Sequence, residues 1–229
     1  MARHPRQHLC IDADDTLWEN MAVFDRVNAA FACWLGLDRP LAEVLVEVDA
    51  IQRELCTIHG YGARTFERAL QETVQRLLGR QPTTADVATI AEMVAPLAWD
   101  EMEVIEGVAA TLAALADRHD LLLVTKGDPE EQHHKLDRSG LGEHFRRVVV
   151  VPEKHPGTYR RLIADEDLDP GITWMIGNSP RSDVLPSLEA GLRPVFIPHP
   201  NTWAWEHEEL AAELPVLRLE RFTDLLEHF

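Results

Sequence analysis

The first half of the chain has the hydrophobic pattern of helices. From Glu19 to about Asp100, apolar residues recur at intervals of three and four, which predicts amphipathic helices. Gly36, Gly79 and the pair Gly60 and Gly62 fall between these periodic segments and indicate breaks. The predicted helices are Met21 to Leu35, Pro40 to His59, Thr65 to Leu78 and Ala85 to Ala98.

After Gly107 the pattern changes to short apolar runs that alternate with helical segments. The predicted strands are Leu121 to Thr125, Arg147 to Val151, Thr173 to Ile176 and Pro194 to Ile197. The helices between them are Val108 to His119, Pro129 to Ser139, Gly157 to Asp165 and Arg181 to Ala190, and the segments Glu206 to Leu214 and Glu220 to Phe229 finish the chain. This alternation is typical of a parallel sheet with both faces covered.

A further apolar run, Leu9 to Ile11, precedes the helical half and predicts a first strand of the same sheet, Leu9 to Asp12. The sequence therefore predicts an α/β protein with a Rossmann-like, three-layer parallel-sheet core formed by residues 1–18 and 101–229. Residues 19–100 would be a helical domain inserted into that core, since they separate the first strand from the others.

Composition narrows the range of functions. The 229 residues are 45% hydrophobic and 27% charged, as in ordinary soluble globular proteins, with a formal net charge of -17. This charge repels nucleic acid and anionic membranes, so neither is an expected partner. Three cysteines without metal-ligand spacing, and no signal peptide or membrane span, favour a cytoplasmic protein with reduced thiols. The sequence leaves open whether it is a monomer or a homodimer.

Polar residues follow each predicted strand. Ligands of open parallel sheets bind beyond the carboxyl ends of the strands, so these residues would meet at one edge. Singly they have ordinary explanations: a helix-capping acidic turn, a turn threonine, a solvated lysine or a helix N-cap. Their joint occurrence favours a functional site. They are Asp12 and Asp14, then Thr125, Lys126 and Gly127, then Lys154, and finally Asn178 and Asp183.

The chemistry of this set suits phosphoryl transfer. Clustered carboxylates repel one another unless a cation lies among them, and Mg²⁺ prefers oxygen ligands such as those of Asp12 and Asp183. The carboxylate of Asp12 can attack phosphorus, while Asp14 protonates the leaving alcohol and then activates water. Phosphate oxygens would be bound by Lys154, Thr125 and the N–H groups of the Lys126–Gly127 turn.

These motifs resemble those of the haloacid dehalogenase superfamily over the whole chain. DADDT, the strand-end Thr125, Lys154 in EKHPGTY, and GNSPRSD match its four motifs in order, and the insert looks like its four-helix cap. The resemblance implies that Asp12 is the nucleophile and that the main-chain carbonyl of Asp14 joins Asp12 and Asp183 as an Mg²⁺ ligand. Asn178 stands where the family usually has an acid, so its amide oxygen would ligate the metal or orient a water without adding charge.

In that family the cap supplies substrate selectivity. The turn between the second and third predicted helices contains Tyr61 and Arg64, which are candidates for contact with the substrate, although an ordinary inter-helix turn would look the same. Trp18 would form part of a pocket wall or of the core. Trp203 and Trp205 follow the last predicted strand and are expected to pack on the surface there.

The sequence therefore predicts a Mg²⁺-dependent phosphatase that acts on a small phosphorylated metabolite. A 2-haloacid dehalogenase of the same fold would need neither the metal nor Asp14. A phosphomutase would return the phosphoryl group to its substrate rather than to water. A non-catalytic, receiver-like module would have neither an acid/base at Asp14 nor a large helical insert after its first strand.

Overall fold

The computed structural model describes residues 6–99 and 103–229. The chain divides into two compact units, the first formed by Met1–Met21 with Met102–Phe229 and the second by Ala22–Glu101. The boundary that the sequence predicts at residues 100 and 101 lies outside the described residues, as do the first five residues of the predicted core.

A six-stranded sheet forms the centre of the first unit. The strands are β1 (His8–Ile11), β4 (Asp120–Lys126), β5 (Arg147–Val151), β6 (Thr173–Gly177), β7 (Arg193–Phe196) and β8 (Leu217–Arg218). Their spatial order is β5-β4-β1-β6-β7-β8, and every neighbouring pair is parallel. The predicted α/β class and parallel sheet are confirmed.

Strand β1 lies between β4 and β6 and is buried on both faces. Leu9 and Ile11 pack in one apolar cluster, whereas Cys10 packs in another. Successive side chains of a strand point to opposite faces, so the two clusters mark the two covered faces of the sheet. The helices of this unit are α5 (Val108–Ala116), α6 (Pro129–Ser139), α7 (Pro156–Asp165) and α8 (Leu185–Glu189).

Three local features differ from the predicted elements. The segment predicted as one helix from Arg181 to Ala190 begins as a π-helical turn, Pro180–Val184, before α8. Strand β8 and a small antiparallel ribbon, β2 (Trp18–Glu19) with β3 (Glu103–Val104), were not predicted. These strands have two residues each, too few to show a hydrophobic period.

The second unit contains α1 (Met21–Leu35, whose first residue belongs to the first unit), α2 (Leu41–His59), α3 (Ala63–Leu78) and α4 (Thr84–Trp99). Buried side chains such as Phe31, Phe66 and Ile90 form its core. The predicted helices are confirmed to within two residues at their ends. Within the described part of the chain, none of the helices is both long enough and apolar enough to cross a membrane.

Candidate active site

Asp12 lies directly after β1, where its N–H donates to the carbonyl of Ile176 (2.9 Å). Lys154 Nζ donates to Asp12 Oδ1 and also to Asp183 Oδ1 (2.7 Å). Each of the three residues is less than 10% exposed. The ends of β1 and β6 and the loop after β5 thus bring two carboxylates and an ammonium group into direct contact.

Burial and mutual proximity shift the pKa values of these groups. Burial, reinforced by the Asp183 carboxylate, raises the pKa of Asp12 to about 7, even though Lys154 opposes the shift. Burial opposes the charge of Lys154, but Asp12 and Asp183 outweigh it and raise the pKa of the lysine. The cluster therefore holds more negative charge than its single ammonium group balances.

Asp183 occupies the π-helical turn after β6, and its position depends on a glycine. The N–H of Ser179 donates to Asp183 Oδ2 (3.0 Å). A Cβ at Gly177 would lie 2.2 Å from the same oxygen, which is too close for any side chain. Glycine at the end of β6 therefore leaves the space that the Asp183 carboxylate fills.

Asp14, two residues after Asp12, has its own set of donors. Its Oδ1 accepts from Trp18 Nε1 and Lys135 Nζ, each at 2.8 Å, and its Oδ2 accepts from Gln132 Nε2 at 2.9 Å. Burial alone would raise the pKa of Asp14, but Lys135 and the hydrogen bonds outweigh it and hold the pKa below its ordinary value. The indole ring of Trp18 is fully buried, so this side chain both packs in the core and donates a hydrogen bond to Asp14.

Thr125 and Gly127 lie at the end of β4. The hydroxyl of Thr125 is buried and donates to Gln132 Oε1 (3.3 Å). Gly127 has a φ of 146°, and its N–H donates to the carbonyl of Val151 (3.2 Å). The sequence predicts that this N–H binds an anion, but in the structure it donates to a main-chain carbonyl at the edge of the sheet.

Lys126 belongs to a network that the sequence did not reveal. Its Nζ donates to Glu206 Oε1 (2.5 Å) and to Ser182 Oγ (2.9 Å). Glu206 Oε2 in turn accepts from the hydroxyls of Ser179 (2.6 Å) and Ser182 (2.5 Å). Burial would raise the pKa of Glu206, but Lys126 and the serines hold it below its ordinary value. The ammonium of Lys126 is therefore balanced by a buried carboxylate.

The side chain of Asn178 lies beside the first motif. Thr16 Oγ1 contacts both Asp12 Oδ2 (3.2 Å) and Asn178 Oδ1 (3.3 Å), and Asn178 Nδ2 donates to Thr202 Oγ1 (2.8 Å). The amide oxygen of Asn178 and the carboxylate of Asp12 are therefore joined through the hydroxyl of Thr16.

Tyr61 and Arg64 belong to the second unit. Tyr61 lies between α2 and α3, and Arg64 lies in the first turn of α3. The other residues predicted for the site all lie in the first unit.

A separate group of possible metal-binding atoms comes from Asp15, Glu19 and His199, whose ligand atoms lie within 4.8 Å of one another. Asp15 accepts from the N–H groups of Asn20 (2.9 Å) and Met21 (3.0 Å), and His199 Nε2 lies 3.2 Å from Glu19 Oε1. These side chains therefore already have hydrogen-bonding roles near the start of α1.

Gln132, Lys135 and Glu206 contact predicted site residues and were missed by sequence reasoning, as were Ser182 and Thr202. The first two had a readable signal, because they lie three residues apart on the helix that follows Thr125 and hence on one face of it. Glu206 comes from the short turn Ala204–Glu206 and had no such signal.

Comparison with known proteins gives a family match over most of the chain. A family model described as haloacid dehalogenase-like hydrolase matches residues 7–191. The phosphoserine phosphatase of Thermus thermophilus is 30% identical over 82 residues. That match covers 34% of this chain and 33% of the curated relative, so it spans about a third of that protein.

Solved structures resemble the chain over nearly its full length. A haloacid dehalogenase-like family hydrolase from Xanthomonas campestris is 30% identical, with a TM-score of 0.82, covering 98% of this chain and 94% of that one. The L-2-haloacid dehalogenase of Xanthobacter autotrophicus is 18% identical, with a TM-score of 0.67 and 97% of both chains covered. The second likeness concerns the fold alone.

Proposed function

Because the chain belongs to the haloacid dehalogenase-like hydrolase family, we propose that this hydrolase is a Mg²⁺-dependent phosphatase working through an aspartyl phosphate. The observation that carries the proposal is the second carboxylate, Asp14, held by three donors two residues after the buried Asp12. A dehalogenase displaces a halide ion, which leaves without a proton, so its first step needs a nucleophile but no acid. A phosphatase needs a group that gives a proton to the leaving alkoxide and then takes one from water.

The donor set suits a hard divalent cation. Asp12 and Asp183 offer buried carboxylate oxygens whose charge exceeds that of Lys154, and burial together with the Asp183 carboxylate raises the pKa of Asp12. The carbonyl of Asp14 and the amide oxygen of Asn178 would complete the ligands, directly or through water. Bound Mg²⁺ supplies neutralisation of charge on the phosphoryl oxygens.

The residues of the chain would act in two steps. In the first, an Asp12 oxygen attacks phosphorus and the bond from phosphorus to the ester oxygen breaks. Asp14, ionised in the free protein, would take up a proton from the substrate monoanion and pass it to the leaving alkoxide. In the second, Asp14 takes a proton from water as that water attacks phosphorus, which releases phosphate and restores Asp12. Lys154 would hold the phosphoryl oxygens throughout, and the Thr125 hydroxyl would join it by turning away from Gln132 Oε1.

The substrate would be a small phosphorylated metabolite, which the similarity to a phosphoserine phosphatase supports. The helical unit would be the cap, with Tyr61 and Arg64 contacting the part of the substrate beyond its phosphate. The enzyme would be a cytoplasmic protein, as a monomer or homodimer, and the free thiols of Cys10, Cys33 and Cys56 support the cytoplasmic location.

A panel assay tests this function. Phosphate monoesters and L-2-chloropropionate are incubated with the protein, with Mg²⁺ or with EDTA, and released phosphate or chloride is measured. Phosphate release that requires Mg²⁺ is expected, whereas chloride release without metal would overturn the proposal in favour of a dehalogenase. Appearance of an isomeric phosphate ester instead of free phosphate would indicate a phosphomutase.

Substitutions then assign the roles. Asp12→Asn should abolish turnover, and Asp14→Asn should lower it by ~10²–10⁴-fold, because one proton-transfer group is lost. Asp137→Asn, an exposed acid on α6, is the matched control and should leave turnover unchanged. If Asp14→Asn stays within about threefold of wild type, the acid/base assignment is wrong.

A further inference from the structure

The carboxylate of Asp14 is held from two sides. Trp18 donates from the ribbon strand β2, and Gln132 and Lys135 donate from α6. The donors are unequal: Oδ1 accepts from an indole and an ammonium group, whereas Oδ2 accepts only from the amide of Gln132. A carboxylate has about four lone-pair positions, so Oδ2 keeps one more open position than Oδ1.

Gln132 connects Asp14 to the strand that carries Thr125. Its Oε1 accepts from the Thr125 hydroxyl and its Nε2 donates to Asp14 Oδ2, so both ends of the amide are engaged. The side chain is buried and packs against Gly127, where a Cβ would lie 3.0 Å from Nε2. The amide therefore has one orientation that satisfies both partners.

Lys135 is fixed in the same way one turn further along α6. Its Nζ donates to Asp14 Oδ1 and to Asn20 Oδ1, each at 2.8 Å. The helix itself is anchored, because the side chain of Asp128 accepts from the N–H groups of Glu130 and Glu131 at its first turn. A rigid element thus presents both donors to one carboxylate.

We propose that Gln132 and Lys135 are positioning residues that hold Asp14 so that Oδ2 carries the transferred proton. The inference rests on the proposed phosphatase function. Lys135 and Trp18 occupy Oδ1, which leaves Oδ2 to protonate the leaving alkoxide and later to accept the proton of the attacking water. Gln132 keeps that oxygen beside the end of β4, and hence close to the phosphoryl group that Lys154 would bind.

The test compares two leaving groups. The phenolate of p-nitrophenyl phosphate leaves without a proton, whereas the alkoxide of propyl phosphate needs one. The ratio of kcat/KM for propyl phosphate to kcat/KM for p-nitrophenyl phosphate therefore measures proton donation by Asp14. A displacement of ~1 Å can cost ~10²-fold in rate, so Gln132→Met should lower this ratio by about tenfold or more. Lys135→Met should lower it less, because losing the ammonium group also raises the pKa of Asp14.

Three comparisons make the result specific. Lys135→Arg keeps a cation and should restore part of the ratio, and Arg138→Met removes an exposed charge from the same helix and should leave the ratio unchanged. In an Asp14→Asn background, Gln132→Met and Lys135→Met should change the ratio no further, because the group that they position is gone. Circular dichroism and thermal melting check that each variant folds. If Lys135→Met does not fold, the kcat/KM ratio of Gln132→Met alone tests the proposal.

Two outcomes would overturn the inference while leaving the proposed phosphatase intact. One is an equal fall for both substrates, with the ratio within about twofold of wild type. The other is a further fall of the ratio in the Asp14→Asn background. A wild-type protein that hydrolyses neither ester with Mg²⁺, or a ratio that Asp14→Asn does not change, would overturn the proposed function itself.

Discussion

Replacing Lys154 tests the electrostatic account of the buried cluster. Lys154→Met keeps a long, flexible side chain but removes the ammonium group between Asp12 and Asp183. The lysine side chain is 1% exposed, so little solvent is present to replace it. The variant leaves two buried carboxylates facing each other at the ends of β1 and β6.

The expected loss is large and depends on pH. Removing one partner of a buried ion pair costs ~3–5 kcal/mol, which for a chain of this size lowers Tm by roughly 6–20 °C. The pKa of Asp12 is about 7 in the fold, against an ordinary value of 3.8, so the folded state binds this proton more tightly. The contribution of Asp12 to the free energy of unfolding therefore falls as the pH rises from 3.8 to about 7. Without Lys154 the pKa of Asp12 rises further, and the loss should be greater at pH 8 than at pH 5.

Thermal unfolding in EDTA at both pH values measures this effect. The double variant Lys154→Met with Asp183→Asn removes one charge of each sign and should recover more than half of the lost Tm. Arg138→Met controls for loss of an exposed cation. A Tm within about 2 °C of wild type, or an equal loss at both pH values, would refute the reasoning.

Three further predictions concern other buried groups. Lys126→Met leaves the Glu206 carboxylate buried without its ammonium, so urea unfolding at pH 7 should show a loss of ~3–5 kcal/mol that adding Glu206→Gln reduces. Because the pKa of Glu206 is depressed, that loss should shrink as pH falls below the ordinary value of 4.5, where the carboxylate protonates. Burial raises the pKa of Cys10 to about 12, so a thiol reagent at pH 8 should label it only after unfolding, as mass mapping would show. Gly177→Ala places a Cβ against the Asp183 carboxylate, so calorimetry should show weakened Mg²⁺ binding.

The sheet and the candidate cluster could be predicted because strand ends are easy to locate. Each apolar run ends at a polar residue, and in a parallel sheet these ends share one edge. The contacts of Lys154 with Asp12 and Asp183 follow from that rule, although these residues are far apart in sequence. Their catalytic roles and the Mg²⁺ site stay predictions.

The supporting residues were harder to predict, and Glu206 could not be predicted at all. Gln132 and Lys135 lie on a polar helix surface, where sequence does not show which face meets the strand ends. Glu206 enters from a segment without regular period, so nothing in the sequence relates it to Lys126. The N–H of Gly127 was expected to bind an anion. It instead donates to the carbonyl of Val151, which extends the β4–β5 pairing by one residue.

The central position of β1 has a consequence during synthesis on the ribosome. Its partners β4 and β6 are made more than 100 residues later. At ~5–20 residues per second, β1 waits on the order of ten seconds for the first of them. The helical unit has mostly local contacts and can fold meanwhile. Until then the apolar run Leu9–Ile11 is unpaired, and charges next to such a run oppose aggregation of nascent chains. Asp12, Asp14 and Asp15 would thus protect the strand before they serve the finished enzyme.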